Sequence, residues 1–96
     1  MQSLKDKSTD DLFEAILTLK TLDECYMFFE DIGTIAEIKA FAQRFEVAKL
    51  LNDGLTYDDI SAKTGASTAT ISRVKRCLKY GADGYNLALE RLKHKQ

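Results

Sequence analysis

Proline and tryptophan are absent from this 96-residue sequence, which has only five glycines, two cysteines and one histidine. Without proline, helix limits have to be read from caps, glycines and periodicity. Cys25 and Cys77 make neither a disulfide framework nor a metal-ligand spacing, so both are expected as reduced, small buried hydrophobes. His94 stands in a lysine-rich tail without a partner for acid–base work. No stretch approaches the ~20 apolar residues of a membrane span. The start, MQSLKDKSTD, has no apolar signal segment. The expected location is therefore the cytoplasm, on the nucleoid, with no membrane partner. An excess of one charge is also lacking: 14 Lys and Arg face 15 Asp and Glu, a net of -1. That balance argues against a uniformly basic nucleic-acid coat. There is no Ser-His pair, no phosphate-cradling glycine loop and no metal spacing, so no enzyme, cofactor or metal is expected.

What is present is globular, at 45% hydrophobic and 30% charged. The length suits one domain, 1–96, and a chain this short buries only roughly 60–65% of its unfolded surface, which leaves a lone core marginal. The charge is unevenly spread. Met1 to Asp53 holds 6 basic and 11 acidic residues, whereas Gly54 to Gln96 holds 8 basic and 4 acidic. Between Ser67 and Tyr80 lie Arg73, Lys75, Arg76 and Lys79 with no acid. Such separation implies one basic face on an acidic body.

Thr-x-x-Glu, in which hydroxyl and carboxylate satisfy each other's backbone donors, occurs at Thr21–Glu24 and Thr34–Glu37. Thr56–Asp59 is a weaker version, Ser67 another cap, and Ser8 or Thr9 before Asp10 and Asp11 a further start. Gly33, Gly54, Gly65 and Gly81 or Gly84 mark expected helix stops through the left-handed conformation. Between these marks apolar residues recur every three or four positions. Leu12, Phe13, Ile16 and Leu17 share a face, as do Leu22, Tyr26 and Phe29. Ile35, Ile38, Ala42, Phe45 and Ala48 form a third stripe, and Tyr85, Ala88, Leu89 and Leu92 a fourth. The pattern predicts an all-α fold of about six helices with frayed ends at Met1–Lys7 and Lys93–Gln96.

Two predicted helices, Tyr57–Thr64 and Thr68–Tyr80, form a helix-turn-helix at about 56–80. Ile60 supplies the apolar anchor, small Ser61 allows close crossing, Gly65 makes the turn and Ser67 caps the second helix. At about 100° per residue, with Ile71 at 0°, Val74 falls near 300° and Leu78 near 340°. On the same scale Ser72, Arg76, Ala69 and Arg73 fall between about 100° and 200°. One side is apolar; the other carries small, hydroxylated and guanidinium groups suited to a major groove. Ser67, Thr68, Ala69, Thr70, Ser72, Arg73, Lys75, Arg76 and Lys79 are the candidate DNA-binding residues, with Lys75 and Lys79 suited to phosphates.

The sequence resembles the tryptophan-repressor-like proteins of bacteria, and within them the YerC/YecD group, from about Leu12 to Leu92. The most distinctive stretches are ECYMFFEDIGTIAEIKAFAQRFEVAKLL and TYDDISAKTGASTATISRVKRCLKYGADGY. The tryptophan repressor itself is more distant, similar chiefly from Gln43 to Leu78. The resemblance implies an all-α fold of six helices in an interlocked homodimer, with dimerisation helices at about 9–51 and 84–94. It further implies a transcriptional regulator, a repressor, that binds double-stranded operator DNA with two half-sites. Residues matching Thr68, Ala69 and Ser72 lie at the DNA surface in the repressor. Asp58 replaces an arginine that reaches DNA there, which implies a different operator. The repressor's corepressor pocket would fall on Gln43, Arg44, Arg73 and Cys77. However, Val74 replaces the glycine that makes room for the indole ring and Gln43 replaces an arginine. No tryptophan or other small-molecule effector is therefore expected.

Two rival readings remain. One is an adaptor whose helix-turn-helix docks on a protein of the transcription machinery, which the acidic half favours. The other, a ligand-gated sensor, rests on Arg73 alone. The pairs Asp10–Asp11, Glu30–Asp31 and Asp58–Asp59 read as cap and helix-end acids. Phe13, Phe28, Phe29, Phe41 and Phe45 exceed what a marginal core needs, which points to an interface between two chains.

Overall fold

A computed structural model describes residues 3–95. They form six α-helices: α1 (Lys7–Leu17), α2 (Leu22–Ile32), α3 (Ile35–Asn52), α4 (Tyr57–Thr64), α5 (Thr68–Tyr80) and α6 (Gly84–Lys93). No strand occurs among the described residues. The chain divides into two compact units, the first reaching to Ile38 and the second starting at Lys39.

In the first unit the caps do most of the local specification. Helix α1 begins earlier than the hydroxyls at Ser8 and Thr9 suggest. The carboxylate of Asp6 is the cap, accepting the Thr9 backbone N–H at 2.8 Å, and Lys7 is already helical rather than frayed. That backbone donor holds the Asp6 carboxyl below its ordinary value. Met1, Gln2 and Gln96 lie outside the described residues, so the expectation of frayed ends is met by no observation there. Thr21 caps α2 through the Glu24 N–H, while Glu24 reaches one residue beyond the cap to the Lys20 N–H at 2.8 Å. Thr34 and Glu37 close a reciprocal box at the start of α3, at 2.8 and 3.1 Å. The Thr34 N–H holds the Glu37 carboxyl below its ordinary value.

The apolar stripes of this unit are not a core. No residue of α1 or α2 is buried. Leu17, Leu22, Tyr26 and Met27 stand in the open and Phe28 meets Phe29 edge-to-face at 5.5 Å. Two 11-residue helices cannot enclose a core of their own.

The second unit has one. Val47, Ala48, Ile60, Ala66, Ile71 and Val74 form a sealed cluster, flanked by Leu50, Leu51, Leu55, Tyr57, Leu78 and Tyr85. Helix α4 packs on α5 and α5 on α6. The Asn86 amide donates to the Leu78 carbonyl at 3.0 Å, tying α6 to the end of α5. In α3 only Val47 and Ala48 are buried, so the predicted stripe is met at Ala48 alone, and Ile35 and Phe41 are exposed. The apolar residues of α3 surround the helix instead of lining one face, a pattern suited to burial on every side.

The glycines divide into two kinds. Gly65 ends α4 in the left-handed region, at φ 73°. Gly33 and Gly81 instead end their helices with extended ψ values, and Gly84 is the first residue of α6, not a stop. At Gly81 the requirement is space, since a Cβ would collide with the Cys77 carbonyl oxygen. At Gly65 a Cβ would meet nothing, so any penalty is conformational. Gly65→Ala is expected to lower stability by about 1–2 kcal/mol, read as a shift in urea midpoint at unchanged slope.

Candidate nucleic-acid interface

Helix α4 is fixed at both ends by its own hydroxyls. Thr56 accepts the Asp59 N–H at 3.2 Å, and Thr64 donates to the Ile60 carbonyl at 2.8 Å. The Thr64 hydroxyl then accepts the Ala66 N–H at 3.1 Å, while the Ser61 hydroxyl donates to the Ala66 carbonyl at 3.0 Å. From α3 the Gln43 amide donates to the Thr64 carbonyl at 3.1 Å. The turn Gly65–Ala66–Ser67 is thus held on both flanks, with the Ala66 methyl group in the core. Ser67 caps α5 by accepting the Thr70 N–H at 3.1 Å. The angle between α4 and α5 is set by these bonds together with Ile60 and Ile71, both fully buried.

Helix α5 divides as its sequence predicts. Ile71 and Val74 are sealed in the core and Leu78 is half-buried. Ser67, Thr68, Ala69, Ser72, Arg73, Lys75, Arg76 and Lys79 are all exposed. Thr70 is half-buried and its hydroxyl accepts from that of Ser67 at 3.1 Å, so it is the candidate least free to meet a ligand. The ion pairs among the described residues are Lys7–Asp11 and Glu90–His94. The four cations of α5 belong to neither. Asp58 and Asp59 sit in the first turn of α4, where the helix dipole favours them.

Sequence reasoning missed several contacts, two of which join residues far apart in the chain. Lys75 Nζ lies 5.5 Å from the centre of the Tyr57 ring. Nothing in either local sequence announces that pair, which exists only once α4 and α5 cross. The roles of Ser61 and Gln43 as hydrogen-bonding struts were likewise unseen: Ser61 reads as merely small and Gln43 as a place in a ligand pocket.

Two of the candidate pocket residues make other contacts. Gln43 is committed to Thr64, and the Arg44 guanidinium lies over the Phe41 ring at 5.1 Å. Arg73 is exposed and Cys77 half-buried. Val74, 1% exposed, belongs to the sealed core.

Three further expectations are corrected. Cys25 is exposed, not buried. His94 has a partner, Glu90, at 2.9 Å one helical turn away, although so exposed a pair contributes little. Glu30 and Asp31 fall in the last turn of α2, at the negative end of the dipole, and capping does not explain them. No group of residues that could hold a metal is found among the described residues.

The family model for Trp repressor protein matches residues 7–93. The chain belongs to that family. It is 58% identical over 93 residues to the uncharacterized protein YerC of Bacillus subtilis (strain 168), covering 97% of this chain and 89% of the relative. A TrpR-like protein from Eubacterium eligens ATCC 27750 superposes with a TM-score of 0.91 at 61% identity, over 94% of this chain and 93% of that one. A proposed Trp repressor from Staphylococcus aureus gives 0.90 at 50% identity, over 94% and 90%. Fold class and family therefore agree with the sequence reading: a TrpR-like, all-α protein of the YerC group that carries the helix-turn-helix of a regulator family. No described helix is long and apolar enough to cross a membrane.

Proposed function

We propose that the protein is a sequence-specific, double-stranded DNA-binding transcriptional regulator, a repressor, that acts as a homodimer in the cytoplasm and needs no tryptophan. One observation carries the reading: α5 buries Ile71 and Val74 while its outer side leaves Arg73, Arg76 and a row of small side chains open, flanked by exposed Lys75 and Lys79. Short residues at the leading end, Thr68, Ala69 and Ser72, allow close approach to base edges. Arg73 and Arg76 reach guanine edges or phosphates, and Lys75 and Lys79 reach phosphates.

The homodimer is supported by α1 and α2, which bury nothing, and by the apolar surround of α3. On this reading residues 1–96 act as one domain. The segment at about 56–80 meets DNA, and the helices at about 9–51 and 84–94 hold the two chains together. Two copies of α5 then enter successive major grooves roughly 34 Å apart. Independence from tryptophan is supported by Val74 in the core and Gln43 bound to Thr64.

If each half-site engages three or four phosphates, the log–log slope of affinity against salt is expected at about -5 to -7. Arg76→Ala is expected to weaken binding by about 1–3 kcal/mol and to relax preference at one base pair. Fluorescence anisotropy across a salt series and a panel of single-base variants checks both. A uniform loss over all sequences would put Arg76 on phosphate, and a slope near zero would overturn the DNA reading.

A further inference from the structure

Beside α5 lies a groove of about 480 Å³ whose lining includes Asn52, Thr56, Tyr57, Lys75 and Lys79, and no acid. The Lys75 ammonium rests over the Tyr57 ring, 5.5 Å from its centre, within the range of an attractive cation–π contact. Tyr57 is itself packed against the sealed core, so the ring is a fixed platform. Lysine is a flexible point charge whose rotamer entropy is lost when it binds an anion. A lysine already held by a ring loses less, and preorganisation of this kind raises affinity.

We infer that Tyr57 is a positioning residue for DNA-backbone binding: its ring holds Lys75 beside Lys79 so that the two ammonium groups cradle one phosphodiester flanking the recognition helix. The inference rests on the DNA-binding reading above. It adds a residue that touches no base and acts only through Lys75. Asp58 and Asp59 follow Tyr57 on the first turn of α4 but do not line the groove. Specificity is therefore assigned to the small residues and arginines of α5, and affinity in part to this cradle.

The test uses the full chain with Tyr57→Phe, Tyr57→Leu, Tyr57→Met, Lys75→Ala and the Tyr57→Leu/Lys75→Ala pair, each checked by thermal melting. Without DNA, the Lys75 ε-methylene protons are expected to show an upfield ring-current shift by NMR that survives in Tyr57→Phe and vanishes in Tyr57→Leu. With duplex DNA, Tyr57→Leu is expected to bind about 2- to 5-fold more weakly at every sequence and Tyr57→Phe like the wild type. Lys75→Ala is expected to reduce the salt slope by about one per bound chain, with no further loss from Tyr57→Leu in that background. Tyr57→Met replaces Tyr57→Leu if the latter does not fold, since it too lacks a π-face. Equal losses from Tyr57→Leu with and without Lys75, or an unchanged slope in Lys75→Ala, overturn the inference while the DNA reading stands. A folded wild-type chain that binds no duplex overturns both.

Discussion

Truncation of Ile71 to alanine is expected to destabilise the protein by about 2–5 kcal/mol, the range for a large aliphatic side chain removed from a sealed core. Ile71 is 0% exposed and belongs to a buried cluster of only six residues, so few neighbours can collapse into the space. A chain of this size has roughly 5–15 kcal/mol in total, and the loss is a large share of it. The neighbouring Ser72 provides the contrast. It is one position along the same helix yet fully on the open side, and Ser72→Ala is expected to change stability by no more than about 0.5 kcal/mol. Urea unfolding followed by circular dichroism separates the two. Equal midpoints for both variants would contradict the division of α5 into an anchored back and an open front.

A larger loss is expected for Phe29→Asp. Phe29 is half-buried against Phe28 on α2, a helix that on its own buries nothing. In the proposed homodimer that face is covered by a second chain. An unpaired carboxylate there would cost several kcal/mol, because a charge taken out of water needs a partner. Fold and dimer are expected to fail together, since an obligate interface resembles a domain core cut in half. Phe45→Asp on α3 is expected to behave alike. Light scattering and circular dichroism decide the matter: a stable, helical monomer in either variant would contradict interlocked chains.

The parts of the fold that were legible in the sequence are those fixed by local chemistry. The Thr21, Thr34, Thr56 and Ser67 caps all accept the predicted backbone donors. The turn at Gly65 and the two faces of α5 follow from one glycine and the spacing of Ile71, Val74 and Leu78. Helix α1 was misread at its start because Asp6 outcompetes the hydroxyls that follow it, a carboxylate being the stronger acceptor. Periodicity also overstated the core: it registers that Phe13, Tyr26 and Ile35 repeat at helical spacing but not whether the cover comes from the same chain. In the site, Tyr57 with Lys75 and Gln43 with Thr64 were invisible, since each pair is 18 or more residues apart and meets only through tertiary packing.

Selection of bound sites from a random duplex pool tests the central claim, that the open face of α5 reads DNA sequence. The folded wild-type chain is expected to enrich a two-fold-related site with half-sites about one helical turn apart. Thr68→Glu, at an exposed position outside the buried cluster, is expected to abolish that enrichment without lowering the melting temperature. A correctly folded wild-type chain that enriches no sequence would contradict the account and transfer the helix-turn-helix to a protein partner.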